Sequence, residues 1–136
     1  MARARPELID SSAWVEFLRA TGSPAHLALR ERIRSGGAVA TTGPVAMELL
    51  AGAGSPGEAR RIRRMLATCR MLPVRADDWQ DAAALYSRCR RGGGTPRRLL
   101  DCLIAAVAIR AGAPVLAQDR DFELIAEHTV LELAAT

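Results

Sequence analysis

The sequence predicts an α/β/α layer fold, in which helices pack on a mainly parallel central sheet of about four to five strands. Predicted strands alternate with predicted helices and short links join them, a pattern typical of parallel sheets. Hydrophobic residues make up 49% of the chain, but only five of its 136 residues are aromatic, so the core must consist mainly of Ala, Leu, Ile and Val. Such a core suits helices on a sheet. The length falls within the usual range for one domain, and we expect residues 1–136 to form one.

The first predicted strand is ELID, which places Asp10 at its carboxyl end. The next segment, SSAWVEFLRA, has the apolar spacing of an amphipathic helix, and a serine can cap it. Ser23 followed by proline predicts the start of a second helix, which runs to about Arg34 and ends at two glycines. Two helices therefore precede the second strand, AVAT.

The middle of the chain is predicted to contain two further helices and a short strand. GPVAMELLAG predicts a helix that begins near Thr42–Pro44 and ends at Gly52, with Glu48 inside its first turns. SPGE has the spacing of a capping box and begins an arginine-rich amphipathic helix that ends near Cys69. The segment RMLPV then predicts a brief strand.

Two more helices are predicted, one before and one after the break at GGGTP. Asp77 and Gln80 have capping-box spacing, so we expect a helix from there to about Arg91. Thr95 followed by proline is expected to begin the helix RRLLDCLIAAVAIRAG, which ends at Gly112. Because this second helix is apolar almost all the way round, we expect it to press against the sheet.

Asp101 is the one acid in that apolar helix. A charge there must face either solvent or a functional site, and we favour a site. After the helix, APVLAQ predicts a buried strand that ends just before Asp119. A short helical turn is predicted around Phe122–Ala126, and TVLEL is a candidate edge strand.

Four acids share a position relative to the predicted sheet. Asp10 and Asp119 follow strands, while Glu48 and Asp101 lie early in helices. In an open parallel sheet, the carboxyl ends of the strands and the starts of the next helices share one edge, where ligand crevices form. Each acid alone has a simpler interpretation, such as a helix cap or a first-turn charge. The joint pattern therefore carries the prediction that they meet in one site.

Carboxylates that meet in this way need a compensating charge. Two carboxylates about 4 Å apart repel by roughly 4 kcal/mol at an effective dielectric constant near 20, so four of them require shared protons or a cation. A ligand set made only of oxygens suits a hard ion, and Mg²⁺ or Mn²⁺ is favoured over zinc. His26 and His128 are expected to lie elsewhere, on the surface or in the core.

Four segments, LIDSSAWVEFL, ELLAG, LLDCLIAAVAI and QDRDFELIA, resemble in their order the acidic motifs of the PIN-domain ribonucleases, particularly the VapC toxins of bacterial toxin-antitoxin pairs. The resemblance implies that the family's acid positions are occupied by Asp10, Glu48, Asp101 and Asp119, with Asp121 as a fifth acid and Ser12 as the small hydroxyl residue after the first. One position departs from the pattern. The family frequently has Thr two residues before the fourth acid, and this chain has Ala117, which leaves open whether Asp121 takes part of the role of Asp119.

The resemblance also implies a PIN-like fold and an activity. A Mg²⁺- or Mn²⁺-dependent endoribonuclease is expected, with Asp10, Asp101, Asp119 and Asp121 as metal ligands and a product that carries a 3′-hydroxyl. Transfer RNA and ribosomal RNA are targets within the family. A cognate antitoxin that covers the acids and a homodimer are the expected protein partners.

All 19 basic residues are arginines, and the formal net charge is +4. Clustered guanidinium groups suit phosphate, and the shortage of aromatic residues leaves no obvious platform for base stacking. Phosphate contacts are therefore expected to dominate RNA binding, with the candidates Arg60, Arg61, Arg63, Arg64, Arg97 and Arg98. Solvated helix faces are the simpler interpretation of the same clusters.

Two other function classes remain open. A receiver-like phospho-acceptor domain also gathers aspartates at this sheet edge, but it normally needs a lysine, and this chain has none. The lack of lysine argues against a Walker A nucleotide site as well. A non-catalytic interaction module, whose acids bind a basic partner, is the third class.

The sequence also predicts where the protein resides. No apolar run reaches the roughly 18 residues that cross a bilayer, and MARARPELID lacks the apolar stretch of a secretory signal, so we expect a soluble, cytoplasmic protein. Cys69, Cys89 and Cys102 form no CxxC pair. They are expected to be reduced thiols in or near the core.

Overall fold

A computed structural model describes residues 5–136 of the chain. Its strands are β1 to β4, with bounds Glu7–Ile9, Val39–Thr41, Arg70–Met71 and Val115–Leu116. Its helices are α1 to α7, with bounds Ser11–Arg19, Pro24–Arg34, Gly43–Ala51, Pro56–Ala67, Ala76–Arg91, Leu99–Ala111 and Arg120–His128. Residues 1–4, which belong to the predicted domain and to the segment searched for a secretory signal, lie outside the described residues.

The strands form a parallel four-stranded sheet in the order β3-β2-β1-β4. Strand β1 lies inside the sheet, where Leu8 pairs with Ala40 on one side and Val115 on the other. Helices α1 to α4 pack with one another, and α5 to α7 form a second packed group. The predicted α/β fold with a mainly parallel sheet is confirmed.

Several helix starts follow the local chemistry of the sequence. The hydroxyl of Ser23 accepts a hydrogen bond from the His26 N–H at the start of α2, and that of Ser55 accepts one from Glu58 at the start of α4. Each serine satisfies an N–H group that the first helical turn leaves free. Helix α1 differs from the prediction, because the side chain of Asp10 rather than a serine caps it.

Two helices begin elsewhere than predicted. Helix α5 begins at Ala76, its N-cap residue is Arg75, and Asp78 in its first turn accepts a hydrogen bond from the Arg75 N–H; the predicted pair of Asp77 and Gln80 is wrong. Helix α6 begins at Leu99 rather than at residues 95–96. In both places a distant charged residue decides the local conformation. Asp78 is held by Arg110, and the Arg97 N–H donates to Asp121.

The C-terminal segment also differs from the prediction. Helix α7 spans nine residues, longer than the predicted turn at Phe122–Ala126. TVLEL forms no regular strand, and its pairing with the sheet is a single isolated parallel bridge between Val115 and Leu133.

Helix α6 forms the centre of the core, since every residue from 101 to 108 is buried. Gly112 ends it as predicted, with a φ of 65° that a glycine adopts without strain. The three cysteines are free thiols, with Cys89 and Cys102 buried and Cys69 half-buried. None of the helices between residues 5 and 136 combines the length and apolar character that a membrane crossing requires.

A buried ion pair joins α5 to α6. The side chain of Asp78 is fully buried, and its two oxygens accept hydrogen bonds from Arg110 Nε and Nη2 at 3.0 Å. The same guanidinium donates to the carbonyl of Pro73 at 2.6 Å. The hydrogen bonds from Arg110 lower the pKa of Asp78. This pair therefore stabilises the fold above the ordinary carboxyl pKa near 3.8, and its contribution is lost as the pH falls through the lower folded-state value.

We expect Asp78→Asn to lower the free energy of unfolding by about 2–4 kcal/mol at pH 7, because it removes one partner of a buried charge pair. The difference from the wild type should shrink below pH 3.8. Urea denaturation at pH 7 and pH 3 measures both effects. Asp77→Asn, one position away and exposed, is the matched control and should change stability by less than about 0.5 kcal/mol. Equal losses in the two variants would contradict the ion-pair interpretation.

Candidate metal centre

The predicted acids lie along the carboxyl edge of the sheet. Asp10 follows β1, and Asp119 lies three residues after the end of β4. Glu48 projects from α3, and Asp101 lies in the first turn of α6. The parallel strand order brings these elements together although 109 positions of sequence separate the first acid from the fourth.

Three carboxylates form the centre of the site. One oxygen each from Asp101, Asp119 and Asp121 lies within 4.8 Å of the others. Asp101 is fully buried, while the side chains of Asp119 and Asp121 are 18% and 8% exposed. The three side chains, which we call the acid cluster, are close enough to bind one cation.

Asp10 lies beside the acid cluster rather than in it. Its side chain is fully buried. Its Oδ2 accepts hydrogen bonds from the Ser12 N–H at 3.0 Å and from the Ser12 hydroxyl at 2.6 Å. The charge of Asp10 raises the pKa of Asp101, so the two carboxylates interact. Asp10 therefore serves as the cap of α1 and also belongs to the same electrostatic site.

Ser12 links the two strand ends that carry acids. While its hydroxyl donates to Asp10, the same oxygen accepts hydrogen bonds from the Gln118 N–H at 2.9 Å and the Asp119 N–H at 3.2 Å. Asp119 Oδ1 in turn accepts from the Asp121 N–H at 2.9 Å. Asp119 is thus oriented by Ser12 and by its own helix start, without a hydroxyl at Ala117.

Glu48 lies apart from the acid cluster and is joined to it by an arginine. Arg98 donates from Nη1 to Glu48 Oε2 at 2.6 Å and from Nη2 to Asp101 Oδ1 at 2.8 Å. The hydroxyl of Ser11 donates to Glu48 Oε1 at 3.1 Å. The structure therefore brings Glu48 to the same edge, with one guanidinium between it and Asp101.

Arg97 makes the corresponding contacts on the other side. Its Nη2 donates to Asp119 Oδ1 at 2.8 Å, its Nε donates to Asp121 Oδ1 at 3.3 Å, and its backbone N–H donates to Asp121 Oδ2 at 3.0 Å. Arg97 and Arg98 are two of the six arginines predicted to contact RNA. Both bind carboxylates of the site. No sequence pattern indicated these pairings beyond the proximity of Arg98 to Asp101.

Burial governs the electrostatics of the site. It raises the pKa of Asp101 to about 6, with Arg98 opposing the rise and Asp10 and Asp119 adding to it. Burial also raises the pKa of Asp10, against the hydrogen bonds from Ser12. In both side chains burial disfavours the ionised form, and a nearby positive charge would favour it.

The donor set fits a hard divalent cation. Asp10 Oδ1 and Asp101 Oδ2 are buried oxygens without a hydrogen-bond partner among the described residues. Unpaired buried carboxylate oxygens are costly in a folded protein, and a cation is one of the groups that satisfies them. His26 accepts a hydrogen bond from the Gly22 N–H, and His128 contacts carbonyls of Leu124 and Gly92, so neither histidine joins the acids.

Two cavities open beside the acids. One, of 490 Å³, is lined by Ser12, Asp119 and both site arginines. The other, of 320 Å³, extends from Glu48 to Arg61 on α4. Ser11 lines both, so they adjoin. The remaining predicted RNA contacts Arg60, Arg63 and Arg64 are exposed on the same helix as Arg61.

We expect Ser12→Ala to lower the free energy of unfolding by about 1–3 kcal/mol, because it removes three hydrogen bonds and leaves a buried carboxylate less satisfied. Urea denaturation measures the loss. The control is Ser35→Ala, which removes an exposed hydroxyl that donates to the carbonyl of Arg32 at 3.3 Å. If Ser12→Ala lowers the free energy of unfolding no more than this control does, Ser12 does not hold the two strand ends together.

Comparison with known proteins identifies the family. The model of the PIN domain family matches residues 8–128. Ribonuclease VapC11 of Mycobacterium tuberculosis is 43% identical over 130 residues, which cover 94% of this chain and 97% of the relative. Similar solved structures include VapBC-1 from nontypeable Haemophilus influenzae, with a TM-score of 0.75, 16% identity and coverage of 96% and 97% of the two chains. A toxin-antitoxin complex from Klebsiella pneumoniae has a TM-score of 0.66, 21% identity and coverage of 85% and 89%. With the acid-lined sheet edge described above, these matches show that the chain belongs to the PIN-domain family, as a VapC-type ribonuclease.

Proposed function

We propose that this ribonuclease is a metal-dependent endoribonuclease that hydrolyses RNA phosphodiester bonds with Mg²⁺ or Mn²⁺. The proposal rests on one observation, the three carboxylate oxygens of Asp101, Asp119 and Asp121 within 4.8 Å of one another. Such an oxygen-only set suits these hard ions better than zinc.

The proposed ligands are Asp10, Asp101, Asp119 and Asp121. When bound there, a divalent ion supplies an activated water nucleophile near neutral pH and offsets the charge on the phosphate and the leaving oxygen. The buried carboxylates of Asp10 and Asp101 support this role, because each has an oxygen without a hydrogen-bond partner among the described residues. No covalent protein intermediate is required.

We propose that the catalytic acids are Asp10, Glu48, Asp101 and Asp119, with Ser12 in an accessory role. Ser12 positions two of them, since its hydroxyl bonds to the Asp10 carboxylate and to the N–H of Asp119. Glu48 adds negative charge on the far side of Arg98 from Asp101. The product of hydrolysis carries a 3′-hydroxyl.

RNA is proposed to approach along α4, whose exposed arginines lie beside the cavity that reaches Glu48. Guanidinium groups bind phosphate oxygens, so this contact favours RNA without selecting a sequence. Transfer RNA and ribosomal RNA are the proposed target classes. Arg97 and Arg98 also belong to the proposed RNA contacts, although in this structure their guanidinium groups bind carboxylates of the site.

The proposed protein partners are a cognate antitoxin and a second copy of the chain. The similar structures from Haemophilus influenzae and Klebsiella pneumoniae are named as VapBC-1 and as a toxin-antitoxin complex, which supports an antitoxin for this chain. An antitoxin arginine over the acids fits the excess of carboxylates there. We propose one domain over residues 1–136 that acts in the cytoplasm.

We expect Asp101→Asn to reduce RNA cleavage by at least about 100-fold, because the cation loses a buried ligand. Cleavage of total RNA by purified protein, with Mg²⁺, with Mn²⁺ and with a chelator, measures the effect, and Asp10→Asn should behave alike. Asp77→Asn removes an exposed acid of α5 and should retain full activity. Cleavage that is equal in every tube would point to a contaminant or to a different chemistry.

We expect RNA binding in the presence of a chelator to weaken steeply with salt, because arginine contacts to phosphate release counterions. Replacing Arg60, Arg61, Arg63 and Arg64 together by Gln should reduce the slope of log K against log salt by about 2–3. Fluorescence anisotropy with a labelled single-stranded RNA measures the slope.

The control for this experiment replaces Arg88, Arg90 and Arg91 at the end of α5 by Gln, which also removes clustered arginines. This control should leave the slope closer to that of the wild type. If both sets of substitutions reduce the slope equally per arginine, RNA binding is not localised to α4.

A further inference from the structure

Two consecutive arginines bind every member of the acid cluster. Arg98 donates to Asp101, and Arg97 donates to both Asp119 and Asp121. Arg98 contacts Asp101 Oδ1 and leaves Asp101 Oδ2 without a hydrogen-bond partner among the described residues, so a cation coordinated by the three carboxylates would lie beside two guanidinium groups that already share their negative charge. The acid cluster therefore has two kinds of positive partner that compete for it.

The two arginines are more exposed to solvent than the acids that they bind. The side chain of Arg97 is 71% exposed and that of Arg98 is 45% exposed, whereas Asp101 is 0% exposed. A solvent-exposed guanidinium gains back its hydration when it leaves a carboxylate, and a buried carboxylate does not. Exchange is therefore expected to move the arginines and leave the acids in place.

The backbone around the two arginines permits this movement. Both precede α6, and Arg98 has an extended conformation with φ −132° and ψ 128°. The Arg97 N–H donates to Asp121 at 3.0 Å, so the backbone stays anchored when the side chain moves. Both side chains line the 490 Å³ cavity beside Ser12 and Asp119. This cavity can accommodate the guanidinium groups after they leave the carboxylates.

We propose that Arg97 and Arg98 act as an exchangeable counter-charge: without metal they offset part of the negative charge of the acid cluster, and metal binding frees their guanidinium groups to bind the RNA phosphate in the adjoining cavity. The proposal rests on the proposed function and adds a step to it. A divalent ion at the acid cluster repels the guanidinium groups that it displaces. Phosphate is the anion that matches their geometry, and it arrives with the substrate.

Direct measurement of Mn²⁺ binding tests the first half of this proposal. Binding to the wild type, Arg97→Gln and Arg98→Gln is followed from the electron paramagnetic resonance signal of free Mn²⁺. Both variants should bind Mn²⁺ at least about tenfold more tightly, because a competing positive charge is gone. Arg97→Lys keeps a positive charge but lacks the guanidinium group that contacts both Asp119 and Asp121. Its Mn²⁺ affinity should therefore lie between those of the wild type and Arg97→Gln.

Arg120→Gln is the matched control. Arg120 lines the same cavity and is exposed, but no hydrogen bond or ion pair joins it to an acid of the site in residues 5–136. The same loss of charge there should change Mn²⁺ affinity by less than about threefold. Thermal denaturation without metal should show lower stability for Arg97→Gln and Arg98→Gln than for this control, and Mn²⁺ should restore it.

The second half of the proposal predicts opposite shifts in two constants. At saturating Mn²⁺, the KM for RNA should rise at least about fivefold in Arg97→Gln and Arg98→Gln, while Mn²⁺ binds more tightly. A variant that is merely misfolded would bind both ligands more weakly. Arg97→Lys guards against poor folding of the Gln variants, since it retains the positive charge.

Mn²⁺ affinity that is unchanged or weaker in both Gln variants overturns the counter-charge proposal, and an unchanged KM overturns the transfer to phosphate. Neither result affects the proposed function as long as the wild type binds Mn²⁺ and Asp101→Asn does not. If the wild type and Asp101→Asn bind Mn²⁺ equally, the proposed metal site itself is wrong. The two proposals therefore fail in distinguishable ways.

Discussion

The need to offset negative charge at the carboxyl edge of the sheet governs this structure. Asp10 follows the interior strand β1, and Asp101 lies in the first turn of the buried helix α6, so the packing that forms the core also removes both carboxylates from water. Burial of this kind is tolerated only when hydrogen bonds, protons or positive charges compensate it. Ser12 supplies part of that compensation to Asp10, and Arg98 to Asp101, while Arg97 does so for Asp119 and Asp121. Five acids against two guanidinium groups still leave an excess of negative charge, and this excess supports the proposed cation site at the edge.

Local chemistry made much of the fold and of the site predictable. Ser23 and Ser55 begin their helices, and Gly112 ends α6, because caps depend on groups only a few residues apart. Convergence of the acids follows from one rule about parallel sheets, so no knowledge of individual contacts was needed to expect it. The absence of lysine already argued against a receiver-like domain, and membership in the VapC-type ribonucleases leaves that alternative and the non-catalytic module without support.

Two of the predictions that were wrong, the starts of α5 and α6, share a cause, which is a charged contact between residues far apart in the sequence. Asp78 rather than Asp77 accepts the capping-box hydrogen bond at the start of α5, because Arg110, 32 positions away, holds it at the helix interface. Helix α6 begins at Leu99 because the segment before it carries Arg97 to acids more than 20 positions further on. Sequence spacing detects a cap and cannot detect a partner on another helix. For the same reason, the carboxylate partners of Arg97 and Arg98 could not be predicted from the sequence.

Position in the fold divides the six arginines predicted to contact RNA into two classes with different physics. The arginines of α4 lie on an exposed helix face, where a phosphate competes only with water and salt. Arg97 and Arg98 already form ion pairs with carboxylates. A phosphate must therefore bind these guanidinium groups more strongly than Asp119 or Asp101 does. A cation at the acid cluster would weaken the ion pairs between the acids and the two arginines. It would also attract the phosphate, because it adds positive charge beside it. Binding of metal and binding of RNA are therefore expected to favour each other at this site, and by thermodynamic reciprocity each should raise the affinity for the other by the same factor.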